Sequence, residues 1–272
     1  MESARPTAVR HHILATATVV AFLMYLDRIC LAQIISSDSF QKSIKLDQGE
    51  IDLIKGAFFW AYALFQVPAG WLSDRFGARV LITVYIAAWS VFTAATSFAW
   101  GFWTLFFARL LCGLAEAGYY PASSSLMTRW AHIGSRGFAS SIISWGGRIG
   151  GALAPWLTAF VILRSGDWRY AGWLYGFGGL AVALAYWLVY REHPRLHPRC
   201  NAEEINLLAE GRGDFQPVKN PPRSFPWAEA CRSLNLWNVN AVQFFTNIGW
   251  AFLVLFPRTH VKCLFFLGVI GS

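Results

Sequence analysis

The chain has 272 residues and a formal net charge of +8, with 56 % hydrophobic, 17 % aromatic and only 14 % charged residues. Soluble domains carry roughly 25 % charged residues, so this composition excludes a water-soluble globular protein and indicates an integral membrane protein. The positive charge does not indicate a nucleic-acid-binding protein, because the cationic residues fall in the gaps between apolar segments.

Six apolar segments are each long enough to cross a bilayer as a helix, which takes about 20 residues. Backbone groups in lipid must be paired within the segment, so we predict helices and an all-α integral membrane fold. The segments cover residues 13–35, 51–72, 80–99, 102–120, 138–163 and 170–190.

The segments divide the chain into four parts. Residues 1–12 are an N-terminal segment, residues 13–190 a six-helix bundle, and residues 191–235 a proline-rich linker with a short surface helix predicted at residues 202–210. Residues 236–272 are predicted to form a partial seventh helix, and then an apolar tail of about ten residues, too short to span.

The cationic residues are unevenly divided between the two sets of connecting segments. Thirteen lie in the N-terminal segment, the connections after the second and fourth apolar segments and the linker, whereas four lie in the opposite set. Lys and Arg accumulate on the cytoplasmic side of membrane proteins. We therefore predict a multi-pass protein of the cell inner membrane with a cytoplasmic N-terminus and a linker that rests near anionic headgroups.

Charged residues within the apolar segments are the first candidates for function, because each costs roughly 2.5–3.5 kcal/mol to insert. Asp27 and Glu116 are predicted to carry protons, or else only to neutralise Arg28 and Arg109 within the bundle. With Arg148, three predicted buried arginines face two buried carboxylates. This unmatched positive charge favours an anionic substrate, because a guanidinium binds a carboxylate through two hydrogen bonds; structural pairing is the alternative.

Other polar residues add little separate chemistry. Tyr62 and Gln66 lie one turn apart in the second segment, and the glycines at residues 146–151 favour close helix packing. The five cysteines and six histidines show no ligand-like spacing, so we predict no metal site, cofactor or disulfide. No nucleophile–base arrangement indicates an enzyme.

Residues 70–79 carry the most specific motif. They read GWLSDRFGAR and resemble the signature between helices 2 and 3 of the major facilitator superfamily, although Ala78 stands where a basic residue is common. The YLDR stretch at residues 25–28, the Tyr62, Gln66 and Pro68 pattern, and residues 109–121 resemble the anion:cation symporter branch of that superfamily. This branch carries sugar acids, phthalates and other organic anions.

The resemblance implies two six-helix bundles that alternate access to a central site. Asp27 and Glu116 would be the proton-coupling carboxylates. Arg28 would support the site or the coupling, Arg109 would pair with Glu116 or bind the substrate, and Tyr62 and Gln66 would face the cavity. With Arg148, which is predicted from its place within a span, these are the candidate substrate-binding residues for a small organic anion.

The same resemblance implies a cytoplasmic gate in the hairpin. Its residues would be Gly70, Asp74, Arg75, Gly77 and Arg79. Because a full member has twelve helices, we expect this chain to be truncated after the start of the seventh. The alternatives are a half-transporter that works as a dimer or with a missing C-terminal bundle, and an inactive remnant in the lipid membrane.

Overall fold

The computed structural model describes residues 5–210 and 227–255, in which the regular elements are all helical. Residues up to 210 form one compact unit and residues 227–255 belong to another. The first unit contains α1 (Val9–Ile35), α2 (Asp38–Ser43), α3 (Gln48–Phe76), α4 (Ala78–Thr96), α5 (Phe102–Glu116), α6 (Tyr119–Trp130), α7 (Arg136–Ser165), α8 (Arg169–Val189) and α9 (Ala202–Ala209). The second contains α10 (Trp227–Arg232) and α11 (Leu234–Leu255). The predicted all-α fold is confirmed.

The long helices follow the predicted apolar segments. Within the described residues, four helical stretches are long and apolar enough to cross a bilayer: α1, α4, the stretch Ile133–Ser165 that contains α7, and α8. At 29 residues α3 is long enough, but it is not apolar enough to meet the same criterion. The helix α11 agrees with the predicted seventh segment up to residue 255, and the predicted tail lies outside the described residues.

The fourth predicted segment differs from the structure. Instead of one helix to residue 120, α5 ends at Glu116 and α6 begins at Tyr119. Pro121 has no backbone N–H to donate to the carbonyl of Ala117, so the ladder is interrupted there. The helical path nevertheless continues to Trp130, well beyond the predicted end.

Glycines bring α1 and α7 into close contact. A Cβ added at Gly150 would lie 2.8 Å from the carbonyl carbon and 3.0 Å from the Cα of Phe22, and one at Gly147 would lie 2.8 Å from the ring of Tyr25. Gly176 on α8 likewise faces Ala94 on α4. The predicted packing role of the glycines at residues 146–151 is therefore confirmed.

We expect Gly150→Ala to separate α1 from α7 and to lower the free energy of unfolding by about 1–3 kcal/mol, as overpacking does elsewhere. Gly137→Ala is the matched control, because it lies on the same helix with nothing within 4 Å of an added Cβ. Ala favours a helix over Gly by up to about 1 kcal/mol, so this control should be neutral or stabilising. Thermal denaturation in detergent measures the stability of both variants. Equal losses of stability in Gly150→Ala and Gly137→Ala would contradict the close contact between α1 and α7.

Two buried apolar clusters fill the bundle. One includes Met24 on α1 and Cys112 on α5, and the other begins at Leu26 on α1 and includes Leu105 on α5. Asp27 and Arg28 on α1 and Arg109 on α5 therefore fall near the junction of the two clusters, and Glu116 lies one turn beyond Cys112 within the first. A charge at this place is shielded from water on both sides.

The segment after α8 is fastened to the beginning of α1. Glu204 on α9 is fully buried and accepts hydrogen bonds from the backbone nitrogens of Val9 (3.3 Å) and Arg10 (3.0 Å) and from the hydroxyl of Thr7. It also forms an ion pair with Arg10 at 3.3 Å. A carboxylate suits this position because the first N–H groups of a helix have no partner within the helix. The short helix was predicted, but it is docked instead of lying free on the surface.

The reactivity of the Cys200 thiol depends on this contact between α9 and α1. It lies 3.7 Å from Glu204, and burial, followed by the negative charge of Glu204, raises its pKa to about 11. The thiolate is the reactive form, so Cys200 should react slowly with N-ethylmaleimide at pH 8 and faster only as the pH approaches 11. Glu204→Gln removes the charge and loosens the contact, and should accelerate alkylation about tenfold or more.

Mass spectrometry of the Cys200 peptide measures this rate, with exposed Cys231 as the internal standard. Glu203→Gln, in the same helical turn, is the control, since Glu203 is not fully buried. If Glu204→Gln and Glu203→Gln leave the rate equally unchanged, Glu204 does not hold α9 in place.

Candidate functional site

Charged side chains from α1 and α5 meet inside the bundle. Nε and Nη2 of Arg28 donate hydrogen bonds to Oε2 of Glu116 at 3.2 and 2.9 Å. The Glu116 side chain is fully buried and that of Arg28 is 11 % exposed. These residues are 88 positions apart in the sequence, and only the packing of α1 against the rest of the bundle brings them together.

The second oxygen of Glu116 has a weaker partner. The Cys112 thiol, one turn earlier on α5, donates to Oε1 at a distance of 3.7 Å. The hydroxyl of Thr93 on α4 lies 3.7 Å from the same sulfur. Glu116 is therefore held by a strong charged donor on one oxygen and by a weak thiol donor on the other.

Asp27 is the most isolated carboxylate of the bundle. It is fully buried, and neither of its oxygens has a well-formed hydrogen bond to any described residue. The indole of Trp89 lies beside it, with a nitrogen that also lacks a well-formed hydrogen bond. Asp27 and Arg28 point to different faces of α1, since only Arg28 reaches Glu116. A buried polar group without a partner costs stability and therefore indicates function.

Among the described residues, Arg109 is buried without an ion pair. Only 4 % of the residue is exposed, and its Nε has no hydrogen-bond partner in the described part of the chain. Its guanidinium instead lies over the ring of Phe58, with Cζ 4.7 Å from the centroid. Of the two alternatives for Arg109, pairing with Glu116 is therefore not observed, because Glu116 is paired with Arg28.

Aromatic rings surround Arg28. Its Cζ lies 4.6 Å from the ring centroid of Tyr62, 5.2 Å from that of Phe58 and 5.3 Å from that of Tyr25. The structure thus places Tyr62 beside the charged group. Gln66, one turn further along α3, is half-buried and has no hydrogen-bond partner among the residues described.

The position of Arg148 differs from the prediction. It was predicted to be a third buried arginine, but its residue is exposed on α7. The buried charges are therefore two arginines and two carboxylates, and the predicted surplus of buried positive charge was wrong. The sequence misled here because the glycines beside Arg148 face α1 and turn the arginine to the opposite side.

The hairpin motif is a tight junction between α3 and α4. Gly77 ends α3 with φ at +87°, a conformation that other residues rarely adopt, and α4 begins at the next residue. A Cβ at Gly70 would lie 3.2 Å from Pro121 on α6. Asp74 and Arg75 are exposed. The glycines therefore shape the junction, and the two charged side chains are left on its surface.

Glu192 ties this junction to the end of α8, and sequence reasoning did not identify it. Its carboxylate accepts hydrogen bonds from the backbone nitrogens of Ala78 (3.2 Å) and Arg79 (2.9 Å) and forms an ion pair with Arg129. The guanidinium of Arg79 lies 4.0 Å from the ring centroid of Trp187. The signal in the sequence was an acidic residue directly after a span, opposite a basic hairpin.

Comparisons with known proteins agree with this architecture. The family model of the Major Facilitator Superfamily matches residues 17–267. The "Probable galactarate/D-glucarate transporter GudP" of Escherichia coli (strain K12) is 33 % identical over 274 residues, covering 92 % of this chain and 58 % of the relative. The "Probable sulfoacetate transporter SauU" of Cupriavidus necator is 29 % identical over 245 residues, covering 90 % and 55 %.

A solved structure shows the same fold. The crystal structure of "A Bacterial Homolog to Human Lysosomal Transporter, Spinster", in its inward-facing and occupied conformation, superimposes with a TM-score of 0.61 at 25 % identity. The match covers 70 % of this chain and 46 % of that one. The chain thus spans about half the length of the relatives it matches. By its sequence and its fold, the chain belongs to the Major Facilitator Superfamily.

Proposed function

We propose that this bundle is one half of the pathway of a transporter for small organic anions of the sugar-acid or related carboxylate class. Transport is by proton-coupled symport with alternating access. The observation that carries the proposal is the pair Asp27 and Arg109, which are both buried and neither of which forms an ion pair in the described part of the chain. Relatives named as transporters of galactarate, D-glucarate and sulfoacetate support the class of substrate.

The proposed coupling of proton and anion follows from the net charge of the four buried side chains. With Arg28, Arg109, Asp27 and Glu116 all ionised, the buried group is neutral as a whole. A proton on Asp27 leaves one net positive charge, which a substrate carboxylate then neutralises at Arg109. In a medium of low dielectric constant an uncompensated charge is expensive, so proton and anion bind together and leave together.

The remaining predicted residues have secondary roles in this proposal. Arg28, Tyr62 and Gln66 line the substrate side of the pathway. When the substrate is a dianion, the charge of its second carboxylate is neutralised either by the exposed Arg148 or by a second proton, which binds to Glu116. No cofactor or metal takes part.

The hairpin is the gate of the proposed cycle. Asp74 and Arg75, which are exposed, pair with a second bundle when the pathway closes on the cytoplasmic side, and the N-terminus and the linker lie on that side of the inner membrane. We assign to the four parts of the chain the roles predicted from the sequence: an N-terminal segment at residues 1–12, the six-helix bundle at 13–190, the linker at 191–235, and a partial seventh helix with its tail at 236–272. The second bundle comes from further chain or from a second copy.

Uptake into proteoliposomes tests the proposal. The 272-residue chain is reconstituted alone and as a fusion to the second half of the Escherichia coli relative, and radiolabelled D-glucarate uptake is followed with and without an inward proton gradient. We expect gradient-driven accumulation by the fusion, collapse with a protonophore, competition by sulfoacetate and none by neutral glucose.

The uptake results distinguish the proposed function from its alternatives. Accumulation by the chain alone would favour the half-transporter that works as a dimer. Uptake that is indifferent to the proton gradient would refute symport, and a fusion that inserts correctly but neither binds nor carries any of these anions would refute organic-anion transport.

A further inference from the structure

Phe58 on α3 contacts both of the buried arginines. Its ring centroid is 4.7 Å from Cζ of Arg109 on α5 and 5.2 Å from Cζ of Arg28 on α1. The residue is only 1 % exposed. One aromatic ring therefore contacts cations that come from two different helices.

The backbone of Phe58 is fixed independently of its ring. A Cβ added at Gly113 on α5 would lie 3.0 Å from both the Cα and the carbonyl carbon of Phe58. Gly113 follows Arg109 by one helical turn. The close contact between α3 and α5 thus sets the height of the ring relative to the Arg109 guanidinium.

A second ring supports the first. Tyr62 stacks against Phe58 with centroids 6.0 Å apart and an interplanar angle of 15°. Tyr62 also contacts Arg28, with Cζ 4.6 Å from its ring centroid. The position of Phe58 is therefore determined from α5 on one side and by Tyr62 on the other.

The two arginines need such a separator. Like charges repel strongly in a medium of low dielectric constant, and of the two arginines only Arg28 is hydrogen-bonded to Glu116 in the described part of the chain. For Arg109, the ring of Phe58 is its one cation–π partner in the described part of the chain. A ring stabilises a guanidinium through the face of the cation, which leaves the N–H edge open for a carboxylate.

We infer that Phe58 is the positioning residue of the site: its ring holds Arg28 and Arg109 apart and keeps the edge of Arg109 free for the carboxylate of the substrate. This inference rests on the proposed function. According to this inference, affinity for the anion depends on the face of the aromatic ring. An apolar side chain of similar size without a ring does not replace it.

The test compares Phe58→Leu, which removes the ring, with Phe58→Tyr, which keeps it. Trp60→Leu is the control, because this nearby ring on α3 is 72 % exposed and, within the described residues, contacts neither Phe58 nor either arginine. In the fusion that carries D-glucarate, we expect Phe58→Leu to raise the KM about tenfold or more and to change the maximal rate much less. Phe58→Tyr and Trp60→Leu should stay within about twofold of the parent.

A second readout does not depend on transport. Phenylglyoxal modifies arginine side chains, and its reaction with Arg109 is followed by mass spectrometry of the 272-residue chain in nanodiscs. Because phenylglyoxal condenses with the N–H edge that the ring keeps open, Arg109 in Phe58→Leu should react several-fold more slowly, whereas Phe58→Tyr should react like the parent.

These two readouts separate the inference from the proposed function. If the parent fusion does not carry D-glucarate, the proposed function fails, and the phenylglyoxal rates alone decide the role of Phe58. If Phe58→Leu and Phe58→Tyr behave alike in KM and in Arg109 reactivity, Phe58 is only a packing residue and the inference is overturned.

Discussion

Asp27→Asn is expected to abolish gradient-driven accumulation of the anion and to leave the fold intact. Asn resembles the protonated carboxyl group and cannot release a proton, so the buried charges stay fixed at one net positive charge through the cycle. A gradient of two pH units sustains about 100-fold accumulation when one proton accompanies each anion, and this whole factor should disappear. Exchange of external for internal D-glucarate, which needs no net proton movement, should persist.

The two assays use the same proteoliposomes, so a loss of protein cannot imitate a loss of coupling. Asp52→Asn is the matched control, because Asp52 is an exposed carboxylate that accepts a hydrogen bond only from Gln48 in the described part of the chain. Normal accumulation by Asp27→Asn would remove Asp27 from the coupling mechanism. Loss of both accumulation and exchange would assign it to substrate binding or folding instead.

Glu116→Gln should destabilise the bundle more than other single substitutions of a charged residue. It leaves Arg28 charged and only 11 % exposed with no counterion, and breaking a buried ion pair from one side costs about 3–5 kcal/mol. Thermal denaturation in detergent, together with denaturant titration, measures the loss. Asp167→Asn, which breaks the exposed pair between Asp167 and Arg169, should cost less than about 1 kcal/mol.

A double-mutant cycle distinguishes a paired charge from two independent contributions. Arg28→Met combined with Glu116→Leu removes both charges, and apolar replacements of a buried pair are often neutral. The double variant should therefore be more stable than either single variant, although transport should be lost. Additive losses would show that the two side chains do not interact in the membrane.

Much of the fold could be predicted from apolar length alone. The predicted segment at residues 13–35 ends at the same residue as α1, and the segment at 170–190 differs from α8 by one residue at each end. The exception is the fourth segment, which continues as α6 to Trp130. Hydropathy marks the loss of apolar character near Tyr120, but the helix continues past that point, and its polar side chains are satisfied by hydrogen bonds to the backbone of the preceding turn, as Ser124 is.

The site was only partly predictable. Insertion cost identified Asp27, Arg28, Arg109 and Glu116 without any knowledge of the fold, since a charge in a span needs a reason. The same argument failed for Arg148, because helix rotation decides whether a charge in a span faces the interior. Phe58 gave no signal, since an aromatic residue in an apolar helix is ordinary until its neighbours are known.

The sequence by itself determined the membrane class, the helical fold and the positions of the charged residues, because these depend on local composition and on the cost of unpaired polar groups in lipid. Only the tertiary structure decided which charges pair: Arg28 with Glu116 across 88 positions, Arg109 with a ring, and Asp27 with no ion pair among the described residues. The physical reason is that pairing depends on helix rotation and separation. Here those are set by contacts such as Gly150 with Phe22 and Gly113 with Phe58, where the absence of a side chain lets two helices meet.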